Sequence, residues 1–478
     1  MTKTQAVRGC IGAFLGLAVC LLAGCSRNML ESYPVQMHTT REALQQGRWQ
    51  AAEKQVVAQK PSGKQGVLYQ AELARVQQIS GQYQQSIETY AHAIQQVEHT
   101  SMAAKVQVSR VLANAASLLT NDDAIPFIMP GYGKVFLYAY QALNYFSLHQ
   151  PIDGMVNIRS VINQQRFIQQ QHDKELAAAE KAAHGKGFKY QQKDYQQYFA
   201  KTSAAAGKIK SAFENGFAYY LSSIAFQAGG HDNDAFVAAK DALGVMPGNP
   251  FIQQQLLNVL MQRGDDPSAV AHYQRQFGLH HAPVYPKDSA KLVVIYAQGL
   301  VPPPTSLSIP VPLPIDGNLQ IQMVSIPIYQ TIKHKPPVLQ LSSAGRTWCH
   351  TAVAVNVEQL AAKSLLENYP LIIKRAALRL IAKAALVQAS EKQAGDVGGL
   401  VAQLFTLLTA KADLRAWLTL PSTIQIWQRE LPSGVDTVRL SAGAVQQSIQ
   451  VHLRAHHTTV LWVMQPGNQM RVETLNLF

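Results

Sequence analysis

The chain has 478 residues, 47% of them hydrophobic, which excludes intrinsic disorder and allows two or three packing units. Its formal net charge is +13, which points to an anionic surface or partner. Past the first 25 residues no segment resembles a membrane span, so a multi-spanning protein is excluded.

The chain begins with Lys3 and Arg8, runs apolar from Ile11 to Leu22 and closes on Ala23-Gly24-Cys25. A basic start, a short apolar run and small residues describe a secretory signal rather than a fold element. Leu21-Leu22-Ala23-Gly24-Cys25 resembles the lipobox of bacterial lipoproteins. That resemblance implies cleavage before Cys25 and acylation of its thiol and new amino group. It also implies that residues 1–24 are removed and that 25–40 form a lipidated tether. Ser26 resembles the outer-membrane sorting class.

Cys10 and Cys20 then leave with the signal and Cys25 carries lipid, so Cys349 is left without an internal disulfide partner. The mature side chains keep +11, because residues 1–24 hold two cations and no acid. Nucleic acid is excluded as a partner of such an exported chain. The expected partners are the membrane through the lipid, envelope proteins, and peptidoglycan or anionic lipid.

Gly47-Arg48-Trp49 recurs in kind as Gly81-Gln82-Tyr83, 34 residues later. Gly230 with Ala235 recurs as Gly264 with Ala269, again at 34. That period is the tetratricopeptide repeat's, with glycine at the inter-helix turn and a small residue where the helices touch. Asn249-Pro250 reads as an N-cap followed by proline at the first helical position. Residues 41–280 are therefore expected to form a tetratricopeptide-like α-solenoid, with a non-repeat helical insertion around 101–215. Within the insertion, Val135–Leu148 and Met155–Ile168 read as a helical pair broken at Gln150-Pro151.

From 285 to 478 the pattern is that of an α+β domain with a largely antiparallel sheet. Leu292–Tyr296 is a buried-strand candidate. The six prolines from Pro302 to Pro314 favour extended backbone with a linker or edge role. Leu319, Ile321 and Met323 alternate with Gln320 and Gln322 as a half-buried strand. Asn356 with Gln359 reads as a capping box, followed by helices 357–368, 371–389 and 400–411, the first two split by Pro370. After Pro421 strands return, with a turn at Pro466-Gly467-Asn468. The fold class is mainly α, a solenoid followed by this α+β domain.

Tyr138–Phe146 and Ala412–Pro421, together with the lipobox and the repeat-like helices, resemble a family of proteobacterial outer-membrane lipoproteins with N-terminal tetratricopeptide-like repeats. The resemblance implies an outer-membrane, periplasm-facing location and no particular activity.

Catalytic chemistry finds little support. Gly131-Tyr132-Gly133-Lys134 lacks the spacing and the Ser/Thr of a phosphate loop. His280-His281 and His456-His457 read as exposed turn histidines, since neighbours on a strand point to opposite faces. Cys349 beside His350 reads as a buried free thiol. Asp413, Arg415 and Trp417 read as an ion pair and aromatic anchor where helix meets sheet. Glu367, Glu391, Asp396 and Glu430 show no spacing that singles out a catalytic pair. Arg375, Arg379 and Lys383 recur every four residues and suggest contact with an anionic surface. No catalytic residue, metal or cofactor is expected. The reading is a non-enzymatic scaffold for envelope proteins; the alternatives are an activator of peptidoglycan synthesis and an envelope hydrolase.

Overall fold

Five helical hairpins stack along the N-terminal half of the computed structural model, which describes residues 31–59, 66–111, 127–185, 187–279, 288–315, 317–330, 336–408 and 411–478. A single turn, α1 (Tyr33–Gln36), leads into α2 (His38–Gln45) and α3 (Trp49–Ala58), then α4 (Gly66–Ser80) and α5 (Tyr83–Val111). The third pair is α6 (Gly131–Ser147) and α7 (Pro151–His184). A lone helix α8 (Gln196–Ala206) precedes α9 (Gly216–Ala228) with α10 (Asp232–Val245), and α11 (Pro250–Arg263) with α12 (Pro267–Gln276).

All five inter-helix turns are built alike. At Gly47, Gly81, Gly230 and Gly264 the backbone enters the left-handed region, with φ between 71 and 81°. Each glycine N–H donates three residues back and the next N–H five back, as in Gly81 N to Gln78 O (3.1 Å) and Gln82 N to Gln77 O (2.9 Å). This is the Schellman ending of a helix, which glycine adopts without steric cost. The third hairpin makes the same turn at His149, φ 56°, with His149 N to Phe146 O and Gln150 N to Tyr145 O. Residues 131–184, expected as part of a non-repeat insertion, are thus a member of the series. The αL turn there falls on a histidine, so no glycine marked it.

Asn249 caps α11 as expected, accepting from Phe251 N and Ile252 N ahead of Pro250. Residues 33–40, expected in the tether, are instead helical, with Tyr33, Met37 and Thr40 buried.

The C-terminal half carries three sheets. A five-stranded sheet runs β11-β10-β1-β7-β6, from β1 (Ser289–Gln298), β6 (Ala352–Asn356), β7 (Thr423–Pro432), β10 (Thr458–Gln465) and β11 (Arg471–Leu477). Only the central β1–β10 pair is parallel. Both strands read as continuous apolar runs because both their faces are covered; every residue of β10 is buried. A four-stranded antiparallel sheet orders β4 (Gln340–Ser343), β5 (Arg346–His350), β8 (Gly434–Ala442) and β9 (Val445–Leu453) as β5-β4-β8-β9. The third sheet is the hairpin β2 (Thr305–Ile315) and β3 (Asn318–Ile328).

Val357–Leu408 is one helix, α13, that carries Pro370 in its interior, where three helices were expected. Packing overrides the local break. Tyr369 donates to Pro327 O at 3.0 Å and shares a hydroxyl contact with Thr202, while Ile373 and Ala377 are fully buried against the β2–β3 hairpin. Gln359 N donates to Asn356 Oδ1 at 3.0 Å, so Asn356 does cap the helix start.

The two halves share one core. Strand register puts Lys291 opposite Glu430, Val293 opposite Gln428, and Ile295 between Ile426 and Trp462, all on one face of the sheet. The first helices of the hairpins cover that face. Tyr140 of α6 stacks on Trp462, Tyr220 of α9 donates to Gln428 at 2.7 Å, and Gln255 of α11 accepts from Lys291 Nζ at 3.3 Å. Trp348 of β5 stacks on Trp427 at 5.5 Å and joins the four-stranded sheet to the same core. A separate, smaller core lies under the β2–β3 hairpin, filled from α7, α8 and α13.

Candidate functional site

The face that a helical solenoid usually offers to a partner is occupied here by the chain's own sheet. Several charged groups are drawn into that seam. Arg75 is 2% exposed, 4.4 Å from the Tyr140 ring and 5.9 Å from the Trp462 ring, and it donates to Gln78 Oε1. Glu72, one turn before it, accepts from Leu418 N (2.7 Å), Thr419 N (2.9 Å) and the Tyr33 hydroxyl (3.1 Å). Burial pushes the Glu72 carboxyl up to about 7, against the pull of those donors. Lys291 Nζ donates to Gln227 (2.6 Å) and Gln255 (3.3 Å) and lies 3.9 Å from Glu430. Burial brings its pKa down to about 8, against the attraction of Glu430.

Sequence reading missed Glu72, Arg75 and Lys291. The available signal is their position on apolar stripes: Leu68, Glu72 and Arg75 share one helix face, and Lys291 shares a strand face with Val293 and Ile295. A charge on such a stripe marks a seam.

Beside the seam, where α6 begins, lies a cleft of about 270 Å³. Phe127, Met129, Ile168, Phe213 and Tyr329 form its apolar wall. Gly131 and Gly133 sit at its edge for packing reasons: a Cβ on Gly131 would meet Ile168 at 2.4 Å, and one on Gly133 would meet Met129 at 2.5 Å. Lys134 and Glu175 both line it, and burial holds the Lys134 ammonium below its usual range against the attraction of Glu175. Arg415 forks onto Asp413, with Nε to Oδ1 at 2.9 Å and Nη2 to Oδ2 at 2.7 Å, and lies over the Phe127 ring. Asp413 and Arg415 therefore form the expected ion pair, and Trp417 is the aromatic anchor, packed against Tyr90 and Tyr140. The cleft is smaller than most ligand pockets.

On the helical repeats the exposed large apolar side chains lie on the outer helices. Ile152 and Val156 lie one turn apart on α7, 76% and 56% exposed. Val57 on α3 and Val237 on α10 are also exposed.

The remaining predicted residues scatter. Tyr83 donates to Glu473 at 2.8 Å, and the Pro466–Asn468 turn docks on the first hairpin through Asn468 N to Gln45 O at 2.9 Å. A Cβ on Gly47 would strike Gln469, so that glycine serves the seam as well as its turn. Ala235 is buried between its helices, whereas Ala269 is half-buried in α12, which buries no residue. Arg375, Arg379 and Lys383 do not form an open basic stripe. Arg375 lines the cleft, Arg379 is half-buried and Lys383 is 2% exposed, because this stretch of α13 packs on the smaller core.

Cys349 is exposed rather than buried, on strand β5 whose side chains largely face solvent. His456 and His457 are exposed at a turn, with His456 at φ 64°. Cys25 and His280-His281 lie outside the described residues. Glu430 pairs with Lys291, and Glu367 with Lys363 at 3.6 Å. Among the described residues no group of three or more His, Cys, Asp or Glu side chains could hold a metal ion, and no helix is long and apolar enough to cross a membrane.

No family model matches the chain, and no curated protein matches it. Among solved structures it is similar to the Podosopora anserina putative kinesin light chain with nearly identical TPR-like repeats. Identity is 14%, the TM-score is 0.27, and the match covers 51% of this chain and 92% of that one. The tetratricopeptide-like assignment stands on the five hairpins and their shared turn: the chain is a helical-repeat array closed onto a strand-rich C-terminal half.

Proposed function

We propose that the protein is a non-enzymatic docking scaffold, held at the outer membrane of a bacterial envelope by lipid on Cys25, and that its partner protein binds the outer row of helices. Helical repeats are typically interaction scaffolds. The observation that carries this version is the sealed inner row. With that face filled by the chain's own sheet, the large apolar side chains left in solvent on the repeats sit on the second helices, foremost Ile152 and Val156. Two apolar side chains at i and i+4 on an exposed helix are anchors for a complementary groove or helix.

The test is a photo-reactive residue at position 156 of the full chain in its native envelope, which is expected to cross-link a discrete protein. Ile152→Asp with Val156→Asp should abolish capture and leave the circular dichroism spectrum unchanged. Capture that survives the double substitution overturns the outer-row assignment. Location is tested separately: Cys25→Ser should eliminate labelling by radioactive palmitate and release the chain from the membrane fraction.

A further inference from the structure

The β2–β3 hairpin has opposite edges of opposite character. Pro310, Pro312 and Pro314 alternate along β2, opposite Met323, Ile321 and Leu319 in an unbroken antiparallel ladder. A ladder with proline at every second position survives only if those positions point their missing N–H away from the partner strand. The two-residue connection between Ile315 and Asn318 independently gives the same phase. The free edge of β2 is therefore capped by prolines, as natural sheets cap edges against further pairing.

The same phase aims the N–H and C=O groups of Leu319, Ile321 and Met323 outward from β3. Among the described residues none hydrogen-bonds to these backbone groups. Their side chains are 75%, 73% and 56% exposed. The strand is present as expected, but its apolar residues face solvent and Gln320 and Gln322 face inward. Under the same half of the hairpin Leu313 and Ile315 are buried while Gln320 and Gln322 are half-exposed. At this end of the hairpin the body of the protein thus lies beneath β2 and leaves residues 319–323 of β3 overhanging, while Val324, Ile326 and Ile328 are buried.

Leu319-Gln320-Ile321-Gln322-Met323 reads nearly the same in both directions. We propose that β3 pairs antiparallel with β3 of a second copy of this chain, about a two-fold axis at Ile321. Ile321 then meets its own copy, Leu319 meets the other Met323, and glutamine meets glutamine, which is the self-complementarity an isologous dimer requires. The pairing supplies about six main-chain hydrogen bonds. It yields a four-stranded sheet whose two outer edges are the proline-capped β2 strands, so growth stops at two copies. This contact uses a different surface from the outer-row docking and stands or falls separately.

The test uses the full chain carrying Cys349→Ser. Ile321→Cys in that background should form a disulfide-linked species of twice the chain mass under mild oxidation. Val435→Cys, equally exposed but on β8, should not. In sedimentation velocity the unsubstituted chain should run as a dimer and Ile321→Lys as a monomer, with unchanged circular dichroism. A monomeric unsubstituted chain, a dimer that survives Ile321→Lys, or no cross-link at position 321 overturns the proposal. So does a monomer that binds phosphatidylglycerol vesicles and loses that binding on Ile321→Lys, which assigns the edge to lipid.

Discussion

The seam and the β2–β3 hairpin break the same burial rule in opposite directions. In the seam, Glu72, Arg75 and Lys291 are charged groups held inside: Glu72 and Lys291 take polar partners from another part of the chain, and Arg75 lies over the rings of Tyr140 and Trp462. On the hairpin, Leu319, Ile321 and Met323 are apolar groups held outside, beside backbone that no described residue pairs. The first arrangement joins two halves of one molecule permanently, because an unpartnered buried charge is costly and separation would leave both sides unsatisfied. The second costs little while it waits, since solvent pairs the backbone and the exposed apolar area is small.

The comparison breaks first at the centre of the seam. Trp462→Ala should cost about 3–5 kcal/mol, read from urea unfolding. Helical ellipticity at 222 nm and tryptophan fluorescence should shift together in that variant. A helical signal that stays in place while fluorescence moves would show the halves to be independent.

The seam also makes stability depend on pH. Glu72 is raised from 4.5 to about 7 in the folded chain. Between those values the folded state keeps a proton that the unfolded state has lost, so this group's contribution falls as pH rises, by about 1.4 kcal/mol per pH unit at most. Lys291 is lowered from 10.5 to about 8. Between those values the unfolded state holds the extra proton, and stability rises with pH. Glu72→Gln should remove the first slope and Lys291→Met the second, measured as chemical midpoints across pH 4–11; identical profiles for both variants and the parent would contradict the assignment.

The turns predict smaller, oppositely signed effects. Gly81→Ala forces a side chain into φ 81° and against Arg471, and should destabilise by about 1–2 kcal/mol. His149→Gly relieves the same conformation at an exposed site and should stabilise by roughly 0.5–1 kcal/mol. Thermal unfolding of the two variants checks both signs. Smallest of all, at a dilution where the unsubstituted chain is also monomeric, Ile321→Lys on the hairpin should change stability by less than about 0.5 kcal/mol, and a larger loss there would mean that β3 already has a cover within its own chain.

These contrasts also explain which parts of the fold were legible in the sequence. Four hairpin turns are legible because the αL position is glycine at a 34-residue interval; the fifth has His149 there, so its two helices and their break at Gln150-Pro151 are legible but their membership in the repeat is not. Asn249 and Asn356 were readable as caps because capping is local chemistry. Pro370 misled because the contacts of Tyr369 and Ile373 with a distant hairpin outweigh the local break. The alternation in 319–323 correctly signalled a strand, yet period two says nothing about which face meets the core. Cys349 was placed inside on residue type, but its strand β5 lies at the edge of its sheet and is mostly exposed. The closing of the sheet onto the helices was not readable at all, since no local pattern records what lies across a seam.

The parallel pairing of β1 with β10 bears on the order in which the molecule is made. Strand 458–465 must lie beside strand 289–298 before the central sheet exists, so the sheet cannot close until residue 465 has emerged from the ribosome. The hairpins depend on near-neighbour contacts and can form far earlier. For that interval Tyr140 lacks Trp462 and Tyr220 lacks Gln428. Truncation before residue 458 should leave a helical but aggregation-prone product.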